Sequence, residues 1–151
     1  MSFFRRKKSG ADPVVIDVVK RERTVLFKRE FAQASSFRGF RRIKLSTARV
    51  NNFDQTLAFF RDNGFDFKGC TVVLECIKEI VADQTYLTVN VYVNGHLIGF
   101  IGPAATNSIL MLTEYEYDKV YVKVDEFKRP DGSIMGDNVY LFVHYPGEAP
   151  E

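Results

Sequence analysis

The sequence predicts an α+β domain: a small curled antiparallel sheet or β-barrel of five to seven strands with two short helices. Two observations carry this. The first is a hairpin in Tyr86–Pro103 (YLTVNVYVNGHLIGFIGP), where Leu87, Val89, Val91 and Val93 alternate with Tyr86, Thr88, Asn90 and Tyr92. Asn94-Gly95 follows, the pair that best tolerates the positive φ angles of a type I′ turn. The second is the order of elements, strand, helix, three strands, helix, two strands, which has too few helices for a doubly wound parallel sheet. Closing such a sheet on itself hides its edges.

Taken in order, Met1 to Asp12 reads as a flexible basic leader, and its Phe3-Phe4 beside four cations could at most touch an anionic membrane surface. Val14–Val19 and Thr24–Phe27 are β-branched and aromatic, which predicts two strands joined by the charged turn Lys20–Arg23; a helix opened by Pro13 is the alternative. Gln33–Gly39 reads as a loop separating this extension from the core. Arg41–Val50 reads as the first core strand. Asn52 then caps a helix over 53–62, with Gln55 reaching back, Phe53, Leu57 and Phe60 on one face, and Asn63-Gly64 ending it.

Cys70–Ile77 is a strand, and Ile80–Thr85 a connection into the hairpin. With Asn94-Gly95 as the turn, Val93 pairs with His96, Val91 with Ile98 and Val89 with Phe100, while Asn90 stands opposite Gly99. Val89, Val91, Ile98 and Phe100 then form the core face. Pro103 opens a second helix whose buried stripe is Ala105, Ile109 and Leu112. Val120–Val124 is a strand, Lys128–Asn138 a loop around Pro-Asp-Gly, and Val139–His144 the last strand. The organisation expected is a leader over 1–13, an extension over 14–40, a barrel domain over 41–145 and a disordered tail over 146–151.

A chain of 151 residues with 46% hydrophobic content and 14 Phe suffices for one domain with one core. Cys70 and Cys76 lie about 20 Å apart if both sit in one strand, too far for a disulfide, so reduced thiols are expected. No secretory signal and no membrane-spanning apolar run is visible, which gives a cytoplasmic protein as the default and no membrane insertion. Charge is divided unevenly. Residues 1–44 hold 13 Lys/Arg against 4 acids, a net of +9, and the remainder holds 8 against 15, a net of −7. Either the basic part meets a polyanion, or it lies against the acidic part or is a solvated tail.

Catalysis is not expected, and no cofactor or metal is implied. His96 and His144 are the only histidines, and no CxxC, HxxxH or HxE spacing is present to hold zinc. Asp125, Glu126 and Asp131 are near one another only in sequence, and Gly99–Pro103 lacks the ending of a phosphate loop. Binding is the better-supported class. Tyr86 and Tyr92 face away from the hairpin core, Tyr121 and Tyr140 occupy the polar faces of their strands, and Arg41, Arg42, Lys44 and Arg49 form a basic stretch. Rings that stack on bases beside cations that track phosphates are how small barrels hold single strands.

Thr88–Gly95, the Ile98-Gly99-Phe100 step, Lys68–Glu75 and Asn52–Phe60 together resemble the HIRAN domain, a small barrel found fused to helicase-like remodellers and also alone in bacterial proteins. The resemblance covers about residues 42–145 and implies recognition of single-stranded DNA ends. The family's Asn-Pro-Tyr-Asp type segment before the central strand is replaced here by Ala82-Asp83-Gln84-Thr85. The expected function is thus a non-catalytic module that binds single-stranded DNA through Arg41, Arg42, Lys44, Arg49, Tyr86 and Tyr92. The alternative is a protein-interaction or assembly module whose basic N-terminal segment docks on an acidic partner or on its own acidic half. An enzyme using His96 with nearby acids is the third and least supported class.

Overall fold

The structure is a computed structural model and describes residues 20–30, 38–48, 50, 55–56, 61 and 69–147. Strands β1 (Lys20–Glu30), β3 (Thr71–Val81), β4 (Gln84–Val93) and β5 (His96–Ile101) form one antiparallel sheet in the order β1-β3-β4-β5. Strands β2 (Phe40–Lys44), β7 (Ile134–His144) and β6 (Lys119–Lys128) form a second antiparallel sheet in the order β2-β7-β6. Helix α1 (Thr106–Thr113) connects β5 to β6. Of the other expected helix, Gln55, Thr56 and Arg61 are helical, and the rest of 53–62 lies outside the described residues. The leader, Val14–Val19, Gln33–Phe37 and the end of the tail lie outside them too.

The sheets share one core. Val89, Val91 and Val93 of β4 are 0% exposed, as their alternation predicts. They meet Val72 and Leu74 of β3, Ile43 of β2, Val120 and Val122 of β6, and Val139, Leu141 and Val143 of β7. Ile109 and Leu112 of α1 close one end. Each fully buried side chain of this size contributes about 1.5–3 kcal/mol relative to exposure.

One short crossing joins the sheets. Leu45 N–H donates to Val139 O of β7 (2.9 Å), and the next residue turns to β5: Ser46 N–H donates to Phe100 O (2.8 Å) and Phe100 N–H to Ser46 O (2.9 Å). At the opposite side β1 and β6 share no backbone ladder, so the two sheets do not close into a barrel. A side chain spans that gap, Arg29 Nη1–H donating to Asp118 O at 2.9 Å.

The crossing explains a correction in β5. Val93 pairs with His96 as expected, but a bulge beyond Leu97 sets Gly99 opposite Val91, Phe100 opposite Asn90 and Ile101 opposite Val89. Ile98 and Gly99 both turn inward, Ile101 takes the core place expected of Phe100, and Phe100 faces out, half-buried. A one-residue shift flips every later side chain. A Cβ on Gly99 would sit 2.8 Å from Leu45 Cβ, so only glycine lets Leu45 and Ser46 approach and make the bridge.

Other boundaries move for identifiable reasons. Lys20–Arg23 is not a turn but the start of β1, because Arg21 and Arg23 lie along an acidic strand and pair with Glu79 (2.7 Å) and Glu75 (2.9 Å). The connection expected over Ile80–Thr85 is shorter: β3 runs to Val81, β4 starts at Gln84, and Ala82 and Asp83 alone turn the chain, with φ of 50° and 66°. Those signs are the ones expected of Asn94-Gly95, which has φ of 48° and 81°. Asn94 also pins the start of β3, its Oδ1 accepting from Thr71 N–H at 2.8 Å.

Much of the expected loop 128–138 is strand. The chain turns only between Lys128 and Ile134, where Asp131 Oδ1 accepts from Ser133 N–H (2.9 Å) and Oγ–H (2.6 Å). Glu126 and Asp137, directly paired across β6 and β7, are offset by Arg61, which donates to Glu126 at 2.7 Å and lies 3.6 Å from Asp137. The first core strand ends at Lys44 rather than Val50, because Leu45 and Ser46 leave it to cross between sheets. Helix α1 starts at Thr106, with Ala105 exposed at its N-cap instead of buried; Ile109 and Leu112 are buried as expected. Its C-terminal carbonyls are taken by tyrosines, Tyr145 OH donating to Met111 O (2.7 Å) and Tyr117 OH to Leu112 O (3.1 Å). Burial pushes the Tyr145 hydroxyl up to about 12, which keeps it a donor.

Candidate functional site

In an antiparallel sheet, directly paired residues share a face. Ile43, Val120, Val122, Leu141 and Val143 point into the core, so their sequence neighbours point out. The registers set these outward residues in three rows across β2, β7 and β6: Phe40, His144 and Lys119; Arg42, Phe142 and Tyr121; Lys44, Tyr140 and Lys123. Aromatic rings fill the middle strand and cations stand on both sides. No carboxylate belongs to these rows.

The rings are held by one another and by the cations. The Arg42 guanidinium carbon lies 5.0 Å from the Tyr140 ring centre, a cation–π contact. Tyr121 meets Phe142 edge-on at 6.3 Å and 70°. Phe40 and His144 lie 5.0 Å apart, tilted. Asn138 Nδ2–H donates to Tyr140 OH at 3.2 Å, which fixes the outer end of that ring. Tyr140 and Phe142 are half-buried, whereas Arg42, Lys44, Lys119 and Lys123 are exposed.

Acidic groups appear only at the margins. His144 Nδ1 and Asp118 Oδ1 are 2.6 Å apart, and the hydrogen bond from His144 holds the Asp118 carboxyl below its ordinary range. An ionised carboxylate can only accept, so the imidazole proton sits on Nδ1. Lys123 Nζ lies 3.6 Å from Asp125, a pair about half exposed on both sides and weak for that reason. Among the described residues, Arg42, Lys44 and Lys119 have no carboxylate partner.

The outer face of the first sheet differs. Tyr92 OH donates to Glu75 at 3.4 Å and accepts from Asn90 Nδ2–H at 3.2 Å. Tyr86 is 45% exposed, opposite Glu79. It lines an open, largely apolar cavity of about 750 Å³ with Leu87, Pro103, Ile109 and Leu110. Two cations on this face are engaged, Arg21 with Glu79 and Arg23 with Glu75, and Lys28, opposite Val73, is exposed. Internal pairing with β3 thus accounts for two of the five cations of β1 without a ligand.

Of the six residues expected to form a site, the structure brings Arg42 and Lys44 together on the outer face of the second sheet. Arg41 lies on the core-facing side of β2, half-buried and paired with Val143. Tyr86 and Tyr92 stand on the other sheet, and Arg49 lies outside the described residues. Tyr140, directly beside Lys44, and Tyr121, one strand further on, are the two tyrosines that the sequence places on polar faces. Phe40, Phe142, Lys119 and Lys123 were missed. Their signal was alternation within β2, β6 and β7, but only the pairing β2-β7-β6 turns three alternations into one surface.

No protein-family model, curated protein or solved structure matches the chain. No group of three or more His, Cys, Asp or Glu among the described residues is placed to hold a metal ion. No described helix is long and apolar enough to cross a membrane.

Proposed function

We propose that this protein is a non-catalytic module that binds single-stranded DNA on the outer face of its second sheet. The observation that carries this is the β2-β7-β6 arrangement, with Tyr140 and Phe142 of β7 between Arg42 and Lys44 on one side and Lys119, Tyr121 and Lys123 on the other. Rings accept bases by stacking, worth about 1–3 kcal/mol per base, and flanking cations neutralise phosphates. An exposed sheet face suits an open strand, whose bases are free to lie on it. A duplex keeps its base faces stacked inside.

The same proposal takes the fold as an open relative of the HIRAN barrel. The Ser46–Phe100 bridge joins the sheets on one side, and Arg29 reaches Asp118 across the gap on the other. The competing class, an assembly module, draws support from β1, whose Arg21 and Arg23 pair with Glu79 and Glu75 of β3 in the same chain. That contact is internal, and it leaves Arg42 and Lys44 unexplained. Fluorescence anisotropy with labelled single strands at low salt tests the proposal. Saturable binding that Arg42→Ala weakens supports it, and no binding at micromolar protein defeats it.

A further inference from the structure

Resting on that binding mode, we infer that the surface selects strands whose bases do not stack on one another, so that pyrimidine runs bind in preference to adenine runs. Tyr140 and Phe142 are two residues apart on β7, with side chains on the same face. Their separation along the strand is about 6.8 Å. Consecutive stacked bases are about 3.4 Å apart along one strand. A base on each ring therefore needs its neighbour at about twice the stacked spacing, and the strand must open between them. Neither ring is placed to slide toward the other. Arg42 holds Tyr140 through its cation–π contact, Asn138 holds the Tyr140 hydroxyl, and Tyr121 meets Phe142 edge-on. The cost of opening falls on the ligand. It is small for thymine runs and larger for adenine runs, which stack on themselves; stacking strength and backbone flexibility are where sequence preference arises on such surfaces.

The experiment compares twelve-nucleotide oligo-dT and oligo-dA, both 5′-labelled, by anisotropy against the full chain at one low salt concentration. Oligo-dT is expected to bind at least about fivefold tighter, a modest preference of the kind that stacking strength and backbone flexibility produce. Equal affinity, or tighter binding of oligo-dA, overturns this inference while leaving single-strand binding intact. Failure of both to bind overturns the binding mode itself. The Tyr140→Leu/Phe142→Leu variant, checked for retained fold by circular dichroism, is expected to lose the preference along with most affinity; retention of a fivefold preference would also overturn the inference.

Discussion

Arg42 and Tyr140 stand on neighbouring strands of the second sheet, with the guanidinium carbon 5.0 Å from the ring centre. A cation over a ring sets a positive charge beside an aromatic group, the two features that single-strand surfaces combine. Lys44, directly paired with Tyr140, supplies a charge within one side-chain length of the same point. The contact thus joins the two chemistries a single strand needs, at a place where no described carboxylate opposes them.

Tyr140→Ala is expected to weaken single-strand binding by about 1–3 kcal/mol, a five- to 150-fold loss, while Tyr140→Phe retains most of it. Tyr92→Ala is expected to leave affinity unchanged, because Tyr92 faces out from the first sheet beside Glu75. Anisotropy titrations of the three variants make the comparison. Equal losses from Tyr140→Ala and Tyr92→Ala would place the interface elsewhere.

Gly99→Ala is expected to destabilise the fold by about 1–3 kcal/mol, as overpacking does. The added methyl would meet Leu45 Cβ at 2.8 Å and Ser46 O at 3.3 Å, where the two sheets are joined. Urea unfolding reads the change, and an unaltered midpoint would show that the crossing is more yielding than this geometry allows.

Ala82→Gly is expected to stabilise the protein by up to about 1 kcal/mol. Ala82 holds a φ of 50° in the β3–β4 turn, a left-handed conformation that costs a non-glycine residue about 1–2 kcal/mol. Glycine relieves that strain but loses more entropy on folding, so the gain is less than the full cost. The thermal midpoint should rise; a fall would mean that Ala82 is not strained.

Acid should weaken the His144–Asp118 contact. The folded-state pKa of Asp118 is lowered by the hydrogen bond from His144. Its contribution is therefore present above the ordinary carboxylate range and lost as pH falls through the folded value. The Asp118 side chain is 38% exposed, so solvent screening keeps the effect below about 1 kcal/mol. Urea midpoints between pH 6 and pH 3 should fall less steeply in Asp118→Asn than in the parent; identical slopes would show no linkage.

Local signals read well and long-range ones did not. Val89, Val91 and Val93 are buried because alternation is written in adjacent residues, and Asn94-Gly95 turns the chain because its chemistry is local. The β5 bulge was hidden because His96–Ile101 is apolar throughout, so neither parity is marked, and its cause is a contact with Leu45 far away in sequence. The charged start of β1 looked like a turn until its partner strand supplied Glu75 and Glu79. The candidate site followed the same division. The cations of β2 and the outward tyrosines of β6 and β7 were visible one strand at a time. Which tyrosines belonged with which cations depended on strand order.

The salt dependence of single-strand binding tests the interface most directly. Four exposed cations, Arg42, Lys44, Lys119 and Lys123, flank the rings. At about 0.7 per phosphate neutralised on a single strand, the logarithm of affinity should fall against the logarithm of salt with a slope of about −2 to −3. Lys44→Ala should make that slope shallower by about 0.7. A slope near zero, or one that Lys44→Ala leaves unchanged, would contradict binding at this surface.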